Sequence, residues 1–131
     1  MSYWEPEREC MAREDLEQLQ LERLQSTLYR VGTNVPFYKK KFEQIKFNYD
    51  DIRSLDDLRR LPFTEKQDLR DNYPYGLFAV PLDEVVELHS SSGTTGKPIV
   101  VGYNESDMAM WADCIMRLVQ MAGVVPGMYE S

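Results

Sequence analysis

Two cysteines and a single histidine are all that 131 residues provide, and that scarcity removes several chemistries at once. Cys10 and Cys114 lie far apart without metal-type spacing, so reduced thiols are expected rather than a disulfide or a zinc centre. His89 has no Cys or second His to share a metal with, and the Asp and Glu residues fall in no recognisable ligand spacing, which leaves a metal-hydrolase reading without support. Basic residues are the minority, 15 Lys+Arg against 22 Asp+Glu for a net charge of −7, so binding to nucleic acid or anionic lipid through bulk charge is excluded. No apolar run approaches the roughly 18–20 residues of a membrane span. The first residues, Met1 to Asp15, carry charge where a secretory leader would be apolar, and the chain reads as cytoplasmic. A 43% hydrophobic and 28% charged composition excludes disorder of the whole chain and predicts a packed core of one domain's size.

What is present is ordered as helices first and strands after, an α+β (mixed α/β) arrangement without repeats. We divide it into a helical region, 1–72, and a region 73–131 with a β-hairpin and a further helix. From Ala12 to Val31, Leu21, Leu24, Leu28 and Val31 step by three, four and three, with Leu16 and Leu19 widening the stripe, which predicts an amphipathic helix. Gly32 is read as its end and Pro36 as a stop. Phe37 to Phe47 mixes aromatics with lysines and reads as a helix with solvated lysines and inward aromatics, offset by Asp50, Asp51, Asp56 and Asp57. Ser54 with Asp57, and Thr64 with Gln67, have the spacing of helix-start caps. Tyr73-Pro74-Tyr75-Gly76 marks a turn. Beyond it, Glu84 to His89 and Ile99 to Tyr103 read as strands, and Asn104 as the cap of a helix over Met108–Ala122.

Between the two strands lies Ser90-Ser91-Ser92-Gly93-Thr94-Thr95-Gly96-Lys97-Pro98. Five hydroxyls, two glycines and a lysine stand where a hairpin needs only two to five connecting residues. Glycines let backbone N–H groups approach an anion, hydroxyls add donors, and the lysine supplies positive charge, so the composition is that of a phosphate cradle; a flexible polar hairpin is the plain alternative. A Walker A loop does not fit. It has four residues between its glycines and Ser or Thr after the lysine, whereas two residues separate Gly93 from Gly96 and Pro98 follows Lys97. There is no G-x-G-x-x-G for a dinucleotide either.

Ser91-Ser92-Gly93-Thr94-Thr95-Gly96-Lys97-Pro98 resembles the ATP loop of adenylate-forming enzymes, the superfamily that includes the acyl-CoA synthetases. Trp4-Glu5-Pro6, Asn34-Val35-Pro36-Phe37-Tyr38, Leu61-Pro62-Phe63-Thr64-Glu65-Lys66 and His89-Ser90-Ser91-Ser92-Gly93, in that order, resemble the phenylacetate–CoA ligases within it. One departure is Ile99, where many superfamily members have lysine. The resemblance implies an AMP-binding domain that activates an aryl acid with ATP, as an acyl-adenylate, and passes the acyl group to coenzyme A. It implies that Ser91, Ser92, Gly93, Thr94, Thr95, Gly96 and Lys97 hold the ATP phosphates together with Mg²⁺, and that no catalytic residue lies in this stretch.

Met108–Ala122 is apolar at twelve of fifteen positions. Asp113, Arg117 and Gln120, with Ser106, form one narrow polar stripe, so nearly the whole circumference calls for burial. Trp111 and the methionines Met108, Met110, Met116 and Met121 read as core rather than as an acid pocket. A chain this short has little with which to surround such a helix. We therefore expect the remainder of a longer enzyme, or a second copy in a homodimer, to pack there, and the isolated chain to be inactive. A non-catalytic assembly module docking through its apolar helices is the competing reading.

Overall fold

The computed structural model describes residues 3–91 and 97–124. A one-turn helix α1 (Pro6–Glu9) precedes the long helix α2 (Arg13–Asn34). Glu14 and Asp15 stand in the first turn of α2, where carboxylates complement the helix dipole. The leucine stripe delivers the core. Leu28 is buried with Phe42, Phe47 and Ile52, while Leu21, Leu24 and Val31 pack around them.

The helix does not end at Gly32. Gly32 is buried inside α2, and a Cβ there would lie 2.9 Å from Cδ1 of Tyr49. The residue is a glycine because the short 3₁₀ turn Tyr49–Asp51 packs directly on the helix. Pro36 is likewise a start rather than a stop. It opens helix α3 (Pro36–Gln44), at a position whose N–H has no intrahelical partner to lose. Between the two helices only the extended, fully buried Val35 intervenes.

Helix α3 ends at Gln44, short of the expected Phe47, yet the aromatics of the segment turn inward as expected, with Phe42 and Phe47 tilted at 5.1 Å between ring centres, and Lys39, Lys40 and Lys46 stay exposed. Lys41 differs. It folds over the Phe37 ring, 4.8 Å from its centre, and donates to the Phe63 carbonyl at 2.7 Å and to Asp68 at 3.2 Å. Gln25 donates to the carbonyl of buried Ile52 at 2.8 Å, satisfying a backbone group that burial would otherwise leave unpaired.

Ser54 and Asp57 form the expected capping box on the 3₁₀ helix Leu55–Arg60. The second expected cap moves by one residue. Glu65 and Asp68 cap α4 (Lys66–Asp71), and the Thr64 hydroxyl instead bonds the Tyr38 hydroxyl at 2.9 Å.

After the turns at 72–77, Leu82–Glu84 forms a 3₁₀ helix, so the first strand begins later than its β-branched residues suggest. Strands β1 (Glu87–Ser90) and β2 (Val100–Tyr103) pair antiparallel, Glu87 opposite Tyr103 and Ser90 opposite Val100. The last helix, α5 (Glu105–Met121), is capped by Asn104, whose side chain accepts the Asp107 N–H at 2.8 Å.

The expected burial of α5 is not found within the chain: no α5 residue is buried. Its polar stripe is what the chain covers. Arg117 pairs with Glu5 and approaches Glu9, while Arg8 stands 3.8 Å from Asp113, so α1 grips the charged side. The apolar remainder faces outward, with Leu118 at 60% and Met121 at 82% exposure.

Candidate functional site

The site is built on the β1–β2 hairpin. Because side chains alternate across a strand, Glu87 and His89 share one face with Tyr103 and Val101, and Leu88 and Ser90 share the other with Gly102 and Val100. The second face packs on the segment before the strands. A Cβ on Gly102 would lie 2.5 Å from Phe78 Cε2, so the strand accepts no side chain there. Beside it opens a cleft of about 220 Å³, lined in part by Arg30, Leu69, Phe78, Val100 and Asn104.

The first face meets α5 through rings. His89 lies edge-on to Tyr103 at 5.0 Å and to Trp111 at 5.6 Å, and Tyr103 stacks on Trp111 at 5.6 Å. A His89 ring nitrogen bonds the Glu87 carboxylate at 2.5 Å. Sequence reasoning set His89 aside for want of a partner and assigned Trp111 to a core. The period of two along β1, projected across to β2, is the signal that joins Glu87, His89 and Tyr103 on one face.

Beyond the strands the pairing continues by one step. Ser91 N–H donates to the Ile99 carbonyl at 3.0 Å, and the Ser91 hydroxyl oxygen accepts the Ile99 N–H at 3.0 Å. Ser91 therefore closes the neck of the connection with its backbone and its side chain together. The half-buried Ile99 lends its backbone to that closure. Lys97 is exposed at the mouth, and among the described residues it forms no ion pair. Of the seven residues assigned to phosphate binding, Ser91 and Lys97 are thus brought to the two sides of one neck. Ser92, Gly93, Thr94, Thr95 and Gly96 lie outside the described residues. Among the described residues no three of His, Cys, Asp and Glu gather as metal ligands, and no helix is long and apolar enough to cross a membrane.

Among the described residues the arrangement offers an anion an ammonium group without an ion pair beside a hydrogen-bonded neck and offers no nucleophile paired with a base. The perturbed acids lie elsewhere and are structural. Asp68 and Asp57 are held below the usual carboxylate range by backbone N–H groups, from Glu65 for the first and from Arg53 and then Ser54 for the second. The Arg117 guanidinium is pushed up by its bond to Glu5.

No protein-family model matches the chain. A phenylacetate-coenzyme A ligase of Pseudomonas putida is 54% identical over 108 residues, 82% of this chain and 25% of its own length. One of Escherichia coli (strain K12) is 50% identical over 113 residues, 86% of this chain and 26% of its own length. Among solved structures, a 2-hydroxyisobutyryl-CoA ligase in complex with 2-HIB-AMP and CoA matches at a TM-score of 0.86 and 33% identity, over 95% of this chain and 28% of that one. The chain thus spans about a quarter of the length of the curated relatives it matches.

Proposed function

We propose, starting from its kinship with the phenylacetate–coenzyme A ligases, that this chain is the N-terminal segment of an adenylate-forming acid–thiol ligase of the phenylacetate branch and contributes the loop that holds the triphosphate of ATP. The observation that carries the reading is the hydrogen-bonded neck between Ser91 and Ile99. It lies two residues past Lys97, which stands at the end of a Ser/Thr/Gly-rich connection and forms no ion pair among the described residues, in a chain about half identical to ligases of that name.

In this reading an aryl acid's carboxylate oxygen attacks the α-phosphorus of ATP. The bond to the bridging oxygen breaks, pyrophosphate leaves and acyl-adenylate remains. The thiolate of coenzyme A then attacks the acyl carbon and AMP departs. Negative charge builds on phosphate oxygens in the first step, and fixed donors placed there beforehand act where charge develops. Lys97 supplies a full positive charge, Gly93 and Gly96 allow backbone N–H groups to approach, and Ser92, Thr94 and Thr95 add hydroxyl donors. Ser91 keeps its hydroxyl proton for the phosphate while its oxygen serves the neck. Mg²⁺ would screen the phosphate charge when bound, but the described side chains gather no carboxylate set to hold it, so it would depend on the nucleotide and on residues outside this segment. The protein's part is positional and electrostatic, without a covalent intermediate on the chain.

The helical region 1–72 is the scaffold, since the buried cluster of Leu28, Phe42, Phe47 and Ile52 lies wholly within it. Residues 73–131 carry the nucleotide chemistry. The isolated chain is inactive, and the ligase works in the cytoplasm.

The test is pyrophosphate release by the longer ligase. Lys97→Ala, or Gly96→Val, should cut it by about 10²–10³-fold, the scale of removing one pre-placed charge-stabilising donor, with the melting temperature little changed. Unaltered pyrophosphate release in both variants overturns the assignment. The outward apolar face of α5 favours a second reading, a docking module that acts without catalysis or pairs with its own copy. Sedimentation of the chain alone decides that one, because a specific complex supports it and a monodisperse monomer contradicts it.

A further inference from the structure

We propose that His89 is a positioning residue for the phosphate-binding neck, acting through Glu87, Tyr103 and Trp111 to fix the hairpin against α5; the proposal deepens the ligase reading and rests on it. The imidazole is constrained on three sides. Glu87 holds one ring nitrogen at 2.5 Å, and the rings of Tyr103 and Trp111 meet its edges at 5.0 and 5.6 Å. Tyr103 and Trp111 are themselves nearly parallel, with 23° between their planes. Glu87 and Tyr103 face each other across the ladder, so the cluster spans both strands and the helix that follows them.

Two features separate this cluster from ordinary core. Among the described residues the buried core cluster sits elsewhere, on α2, α3 and the segment after α3. The His89 side chain keeps 42% of its surface and Trp111 also keeps 42%, so burial is not what the ring chiefly provides. The second feature is its place along the chain. The Ser91–Ile99 pair that closes the neck follows His89 by two residues on one strand and precedes its partner Val101 by two on the other. A short two-stranded ribbon twists easily on its own. Clamping both strands to a helix through His89 and Tyr103 sets the direction in which Ser91 and Lys97 leave them. Misplacement of a binding group by about 1 Å, even from a change remote from the reacting atoms, costs up to about 10²-fold in rate.

The experiment has two arms. In the longer ligase, His89→Ala and Trp111→Ala should each raise KM for ATP about tenfold, leave KM for the acid within about twofold and change kcat less than KM, the pattern of lost ground-state positioning. His89→Phe keeps the ring and loses the bond to Glu87, and should recover most of the ATP affinity. A merely structural role predicts instead that both KM values and kcat worsen together with the melting temperature, and that pattern overturns the proposal, as does an unchanged KM for ATP. The second arm uses the 131-residue chain, following the ¹H–¹⁵N signals of Ser91, Lys97 and Ile99. These should move in His89→Ala and Trp111→Ala and move less in His89→Phe, and neck signals that stay in place overturn the proposal. If the unsubstituted ligase releases no pyrophosphate while the neck signals respond, the ligase reading fails and the positioning role of His89 stands.

Discussion

Asp68 receives hydrogen bonds from two parts of the chain, from the Glu65 N–H at 2.8 Å and from Lys41 at 3.2 Å, and thereby joins the cap of α4 to the middle of α3. Both donors favour the carboxylate, the backbone bond to Glu65 more than Lys41, and its pKa lies below the ordinary value. The folded chain therefore takes up this proton at lower pH than the unfolded chain does. Where the unfolded state binds more protons, stability rises with pH. The stabilisation is accordingly complete above the unfolded Asp pKa of about 3.9 and disappears as pH falls through the lower folded value. Asp68→Asn keeps an oxygen for the Glu65 N–H and loses the charge. It should melt below the unsubstituted chain at pH 7, with the gap closing as the buffer is taken below about pH 3.9. Thermal melts between pH 7 and pH 2 check this, and a gap independent of pH would contradict it. Asp57 shifts in the same direction through its bonds from Arg53 and Ser54, so its substitution should flatten a further part of the acid limb.

Hairpin and helices make their demands in pairs, and Gly102 shows how sharply. An alanine methyl there would meet Phe78 at 2.5 and 2.7 Å and Val85 at 3.1 Å. Overpacking of this kind costs about 1–3 kcal/mol, against which the relief of glycine's extra chain entropy returns about 0.5–1 kcal/mol. Gly102→Ala should thus destabilise the chain by about 1 kcal/mol or more, and Phe78→Leu beside it should restore part of the loss. Urea unfolding of the two single variants and the double variant reads the coupling; simple additivity would show that the ring and the strand do not meet. The same pairwise logic explains which elements were legible from residue order. The leucine stripe of α2, the Ser54–Asp57 box and the Asn104 cap rest on local spacing, and each appears where its spacing places it, although α5 starts three residues before the apolar run from Met108 does. Gly32 was misread as a helix end because its reason is Tyr49, a contact made from outside the helix. The strand at Glu84 starts late because Pro81 leads into a 3₁₀ turn. The two strands flanking the loop were legible from their β-branched residues, whereas the His89 cluster required the register of two strands and the arrival of α5.

A chain with five buried apolar side chains among the described residues and a 17-residue helix showing its apolar side to solvent has unused surface on that helix. The relatives are a little over three times as long, and the ligase reading assigns the missing contacts to that additional polypeptide. Leu118 is the place to separate the two states, because it is 60% exposed and lies on the side of α5 away from the Arg117–Glu5 pair. In the 131-residue chain, Leu118→Lys replaces a side chain that already faces water, and surface changes of this sort stay within about 0.5 kcal/mol. In the longer ligase the same lysine would have to bury an ammonium group without a partner or prise the packed surfaces apart, and changes of that class are the ones that cost several kcal/mol, about 3–5 when a buried charge is left unpaired. The expected result is an unchanged urea midpoint for the short chain and a large drop, with loss of soluble enzyme, for the long one. Equal small effects in both would mean that the face stays wet in the ligase as well, and its apolar residues would then be available to the docking partner that the second reading requires.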